Sequence, residues 1–270
     1  MPLRRALVAL SATLTTALAA TLAGAVPAAA MVNGTPDNAH PEAGALYFSA
    51  GPGTERSFAC SGALIDETVF LTAAHCFADY VRAAGTLPTV SVTFDQRPTA
   101  ASTYYGGTVV IDPQFDKLTT KNNLYADDVH DFAVVRLDAD PHITPALLPA
   151  LNAADGLARG TDITTLGYGT SVTQGGGAPT YPPTGDRESA ELALQTVTGA
   201  WLHESQNPTL GYGGACGGDS GGPNYLAGTH VVLATTVTGD MVCRSTNVAI
   251  RLDTPAARAF LGSQVSYPLP

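Results

Sequence analysis

The run Ala215-Cys216-Gly217-Gly218-Asp219-Ser220-Gly221-Gly222-Pro223 constrains this chain more than any other stretch. Glycines on both sides of Ser220 let backbone approach backbone closely and permit positive φ. A serine hydroxyl is a weak nucleophile at neutral pH, so it needs a base to take its proton and donors to hold the oxyanion that forms. The amides of Gly218 and Ser220 are the expected donors. By composition, a chance match to Gly-Asp-Ser-Gly-Gly-Pro in a chain of this length is on the order of one in ten thousand. A Gly-rich turn that merely contains a serine is therefore a poor reading.

The base must lie upstream. Gly218-Asp219-Ser220-Gly221-Gly222 also fits the loose G-x-S-x-G nucleophile elbow, whose partners follow in the order Ser, acid, His. The only later histidine is His230, ten residues on with no acid between, so that order cannot be assembled. Upstream, short apolar runs broken by turn residues, Ala45–Phe48, Ala63–Ile65 and Val69–Leu71, read as antiparallel strands. They lead to Leu71-Thr72-Ala73-Ala74-His75-Cys76. Further on, Asp127-Asp128-Val129-His130-Asp131 precedes the apolar strand Phe132–Val135. Of the three acids, Asp131 abuts that strand and is drawn into the interior; Asp127, Asp128 and His130 are expected in a solvated loop.

Residues 1–30 have the form of a secretory signal: Arg4 and Arg5, an apolar run from Ala6 to Ala23, then Ala28-Ala29-Ala30 as the cleavage site. No other stretch is long and apolar enough to span a bilayer, so no membrane association is expected after signal removal. Loss of that segment removes two positive charges and no acid, taking the formal charge from −10 to −12. Such acidity opposes nucleic-acid and anionic-membrane partners. Four cysteines in an exported chain suggest two disulfides, with three connectivities open. None lies in a C-x-x-C pair, which argues against zinc, and no motif for a cofactor stands out.

Later segments continue in strands. Thr89–Phe94, Gly107–Ile111, Ile163–Leu166, Ser189–Val197, Val231–Val237 and Val248–Leu252 carry the apolar pattern. Pro141–Ala158 reads as a connector, and Ser171–Arg187 as a surface loop. Thr254-Pro255-Ala256-Ala257 opens a short helix ending near Gly262.

Ala73-Ala74-His75-Cys76, Asp131-Phe132-Ala133-Val134-Val135-Arg136-Leu137 and Gly218-Asp219-Ser220-Gly221-Gly222-Pro223, in that order, resemble the three motifs of the chymotrypsin-like (trypsin-fold) serine proteases, in their secreted bacterial-type form. The resemblance covers 31–262. It implies two six-stranded antiparallel β-barrels with a short C-terminal helix, the first over 31–145 and the second over 146–270. It implies that Ser220 attacks a peptide carbonyl, that His75 is base and then acid, and that Asp131 orients His75. It pairs Cys60 with Cys76 and Cys216 with Cys243. Met31-Val32-Asn33-Gly34 looks like the family's mature start, whose α-ammonium would pair with Asp219.

The family's pocket-floor acid falls at Gly214 here, which disfavours cleavage after Arg or Lys. Thr238 and Asn247 stand near the pocket wall and favour small or medium uncharged side chains. The expected molecule is thus a secreted monomeric endopeptidase acting on protein or peptide without a cofactor or metal. The competing classes are a catalytically inactive binding protein on the same fold and an esterase.

Overall fold

A computed structural model describes residues 31–51, 53–118, 127–170 and 185–270. The expected signal segment, residues 1–30, and residues 171–184 of the expected surface loop lie outside the described residues. After the two-residue strand β1 (Thr35–Pro36), the first barrel is built from β2 (Ala43–Ser49), β3 (Ser57–Asp66), β4 (Val69–Thr72), β5 (Thr89–Thr93), β6 (Tyr105–Ile111) and β7 (Ala133–Leu137). They close in the order β2-β3-β4-β7-β6-β5. The second barrel comprises β8 (Asp162–Gly167), β9 (Glu188–Val197), β10 (Trp201–Ser205), β11 (Pro223–Leu226), β12 (Val232–Gly239) and β13 (Thr246–Arg251). Pairing of β8 with β9 closes this ring, and β1 adds to its rim with Thr35 opposite Ser189. This is the architecture that the motifs imply.

Alternation drives closure. Leu46, Leu64, Phe70, Val92 and Val135 fill the first barrel, while Ile163, Leu192, Leu202, Leu233 and Ala249 fill the second. A third cluster lies between them, where Ile65, Leu71 and Val134 meet Leu166, Tyr225 and Ile250. Helix α2 (Pro255–Leu261) packs onto this shared core through Phe260, whose ring stacks on Phe132 at 6.4 Å between centroids. Its start is the one expected, with the Thr254 hydroxyl accepting from the Ala257 N–H and Pro255 in the first turn.

His75 opens helix α1 (His75–Ala84), an element not read from the sequence, which buries Phe77 and Ala78 and ends on Gly85 in the left-handed region. One expectation needs correction. Asp128 is not a solvated loop residue. It is buried, and its carboxylate accepts the N–H groups of Asp116 and His130, which organises the turn before Asp131.

Candidate active site

The ladder of the first barrel brings an imidazole and a carboxylate together. β4 and β7 are hydrogen-bonded neighbours, with Thr72 opposite Ala133. His75 follows the end of β4 closely and Asp131 shortly precedes β7, so both emerge from one end of the same pair. Asp131 is fully buried. Its Oδ2 lies 2.7 Å from His75 Nδ1, and its Oδ1 accepts the His75 backbone N–H at 2.8 Å. The carboxylate thus fixes both the ring and the main chain that carries it. A Cys60–Cys76 disulfide ties the first turn of α1 to β3. Closing a loop of this length contributes about 3 kcal/mol in the chain-entropy view.

Ser220 comes from the second barrel, on the loop entering β11, and the first barrel holds that loop. The Ser61 N–H on β3 donates to the Ser220 carbonyl at 2.9 Å, and the Ser61 hydroxyl donates to the Gly218 carbonyl at 3.1 Å. The approach is close enough to require glycine at 221. A Cβ there would lie 2.1 Å from Thr72 Oγ1 and 2.4 Å from the Ser61 carbonyl, and φ is +80°. Gly218 has φ +91°. A Cys216–Cys243 disulfide joins the loop to the segment between β12 and β13.

His75 and Ser220 line one cleft of about 430 Å³, with Cys216, Val237, Thr238, Gly239, Asp240, Met241 and Asn247 among its other walls. Thr238 and Asn247 therefore line the same cleft as His75 and Ser220. Gly214 does not line it. The space its side chain would take is filled by Gln206, whose atoms come within 2.3 Å of an ideal Cβ at 214. Gln206 in turn donates to Asp240 at 3.0 Å.

Asp240, Gln206 and the buried Glu204 were not singled out from the sequence: Glu204 meets Asn247 and Gln206 meets Asp240 only in the fold, and Asp240 otherwise accepts from Arg244, Ser245 and Thr246 of its own loop. Burial acts to raise Asp240. The N–H groups of Thr246 and Arg244, the Gln206 amide and the Ser245 N–H outweigh it and hold Asp240 below the usual carboxylate range. Burial pushes Glu204 up to about 8 against the opposing hydrogen bond from Asn247.

The pairing expected of Met31 with Asp219 concerns an α-ammonium, whereas the Met31 nitrogen is here a peptide N–H that follows Ala30. The main-chain nitrogen of Met31, a fully buried residue, donates to Glu188 Oε2 at 2.9 Å. Asp219 accepts instead from the backbone N–H groups of Gly169 at 2.8 Å and Cys216 at 2.7 Å. Burial pushes Asp219 up to about 8; those two donors act downward and the charge of Glu188 acts upward. Among the described residues, no cluster of three or more His, Cys, Asp or Glu side chains is arranged to hold a metal ion.

The sequence matches the trypsin family model over residues 31–259. No curated protein matches the chain. Among solved structures, human heparin binding protein is similar at a TM-score of 0.60 and 18% identity, with the match covering 88% of this chain and 99% of that one. At that identity the likeness speaks for the fold alone.

Proposed function

The chain belongs to the trypsin family, and from that premise we propose that it is a secreted serine endopeptidase whose acyl-enzyme forms on Ser220. His75 takes the Ser220 proton during attack and returns it to the leaving amine. Asp131 holds the imidazole in the reactive tautomer and stabilises the imidazolium. The amides of Gly218 and Ser220 receive the oxyanion, and water then releases the acyl group. The observation that carries this reading is the 2.7 Å contact between Asp131 and a His75 that shares its cleft with Ser220. The trypsin match supports it, and the two disulfides suit an oxidising compartment outside the cytoplasm.

The cleft favours small or medium uncharged side chains. Thr238 and Asn247 line it, Gln206 occupies the space beside Gly214, and the Asp240 carboxylate is already committed to donors from its own loop and Gln206. A purely binding role on the same scaffold is the competing reading. The similar human protein is named for binding heparin, a polyanion, whereas this chain has 23 acidic against 13 basic residues and would repel one. An unbiased peptide library, digested by the protein beginning at Met31 beside its Ser220→Ala variant, tests the reading. Cutting that the variant loses, after uncharged residues, is expected. Equal cutting by both proteins, or none by either, would remove Ser220 as the nucleophile.

A further inference from the structure

Behind one wall of the cleft lies an acid that peptide hydrolysis does not use. Glu204 of β10 is fully buried, opposite Leu194 of β9 on one side and Asn247 of β13 on the other. Asn247 and Thr236 line the cleft that holds His75 and Ser220. The Asn247 side-chain nitrogen is turned inward, 2.8 Å from Glu204 Oε2, so the oxygen is the end of that amide left for the cleft. Glu204 Oε1 has no hydrogen-bond partner among the described residues. An ionised Glu204 leaves a charged oxygen unpaired in the interior, whereas a protonated one leaves a neutral carbonyl there. Burial outweighs the Asn247 bond and holds the carboxyl at about 8, so Glu204 carries its proton at neutral pH.

A proton on Oε2 makes that oxygen a donor, and the neighbouring amides have room to follow. Asn224 of β11 has two seatings. In one, its oxygen accepts from Asn247 Nδ2 at 3.3 Å and its nitrogen donates to Thr236 Oγ1 at 2.9 Å. In the other, with the amide turned over, its nitrogen donates to Thr165 Oγ1 at 3.0 Å and to Glu204 Oε2 at 3.2 Å, and its oxygen accepts from the Thr236 N–H at 3.1 Å. The Asn224 nitrogen then faces the Asn247 amide at 3.3 Å and needs an oxygen there. Turning Asn247 as well supplies that oxygen, which accepts the Glu204 proton across the same 2.8 Å.

We propose that Glu204 selects which end of the Asn247 amide the cleft presents to the substrate's side chain, the nitrogen when Glu204 is protonated and the oxygen when it is ionised. The proposal rests on the reading of the protein as an endopeptidase and narrows its substrate class. At neutral pH the cleft offers a donor, so among uncharged side chains those that carry an acceptor are preferred to apolar ones of the same size. Glu204 is a positioning residue, since it acts on substrate only through Asn247.

The groups packed around Glu204, Thr165 of β8, Leu194, Asn224, Thr236 and Asn247, do not titrate. Asp240 lines the cleft but is held below the usual carboxylate range and stays ionised. His75 serves every substrate alike, so a ratio of two substrates removes its contribution. Asp219 is also pushed up to about 8 by burial, and a Glu204 variant separates the two acids.

The test measures kcat/KM from pH 6 to pH 9.5 for two peptides that differ only before the scissile bond, methionine in one and methionine sulfoxide in the other. The sulfoxide adds an acceptor and no donor. The wild type is expected to favour the sulfoxide by about tenfold at pH 6 and to lose that preference as pH rises through about 8. Glu204→Gln does not ionise and is expected to give a ratio that does not change with pH. A second readout needs no turnover: the nitrogen-15 signal of the Asn247 side-chain amide is expected to shift with a midpoint near 8 in the wild type and to stay in place in Glu204→Gln. A pH-dependent ratio that persists in Glu204→Gln would overturn the proposal and assign the effect to Asp219. An Asn247 signal with no step near pH 8 in the wild type would also overturn it, a result that stands even if Glu204→Gln fails to fold. Absence of cleavage of both peptides would remove the endopeptidase reading alone, because the amide signal still decides whether Glu204 turns Asn247.

Discussion

Asp131 holds His75 by ring and by backbone, so an amide in its place keeps the position and loses the chemistry. Asp131→Asn is expected to fold normally and to lower kcat by about 10⁴, because an amide N–H facing Nδ1 selects the wrong tautomer. A folded variant that loses less than tenfold in a peptide-hydrolysis assay would refute this role. A second residue-scale expectation concerns Gly214. Placing an acid there does not create a pocket for Arg or Lys, because Gln206 already fills the space. Gly214→Asp is expected to cost about 1–3 kcal/mol through overpacking, seen as a lower thermal midpoint, without new cleavage after Arg or Lys. Adding Gln206→Ala is expected to recover part of the loss. Cleavage after Arg by the single variant would show that Gln206 yields and does not wall off the floor. The residues that could be named in advance, His75, Asp131 and Ser220, sit in contiguous motifs. Glu188 and Gln206 could not, because each matters through a contact that only barrel closure creates; Glu188 meets a nitrogen 157 residues away.

Strands with dense apolar runs or clear alternation were visible in the sequence, and elements that have neither were not. β4, β7, β8 and β13 carry apolar runs dense enough to mark them. β11 begins at a proline and spans only Pro223–Leu226, while β10 is short with a charged residue inside it. Helix α1 has Ala74 at its N-cap and no side-chain cap, so nothing marks its start. The charged residue in β10 is Glu204, opposite Asn247 of β13, and it gives that pair a pH-sensitive contribution. Its pKa lies near 8, well above the ordinary 4.5, so folding favours the protonated form. Stability from this group is complete below pH 4.5 and is lost as pH rises through 8. Asp219 acts in the same direction, lost through about 8. The thermal midpoint is therefore expected to fall between pH 5 and pH 9. Glu204→Gln is expected to reduce that fall, leaving the part due to Asp219 and gaining several degrees at pH 9. An unchanged slope in the variant would show that Glu204 does not ionise within the folded protein.

Over the whole molecule, the candidate chemistry is divided between two barrels, so their docking is part of the site's geometry. His75 and Asp131 belong to the first barrel and Ser220 to the second, and Arg187 is a buried polar link between the two. It is 3% exposed and donates to the carbonyls of Asp37, Ala43 and Phe94, while Tyr168 beside it donates its hydroxyl to Ala43 and Asp95. None of this shows in the sequence, where Arg187 is one polar residue at the end of a Gly- and Pro-rich stretch. Arg187→Met keeps much of the buried volume and removes every donor, leaving several buried carbonyls without their partner. That is expected to cost about 3 kcal/mol or more, or about 6–12 °C in thermal midpoint for a domain of this size. It is also expected to lower kcat more than it raises KM, because a shift of one barrel displaces His75 relative to Ser220 while most of the cleft wall moves with the second barrel. A variant with a wild-type midpoint and wild-type kcat would show that the shared apolar core around Ile65, Leu166 and Tyr225 aligns the barrels without this polar link.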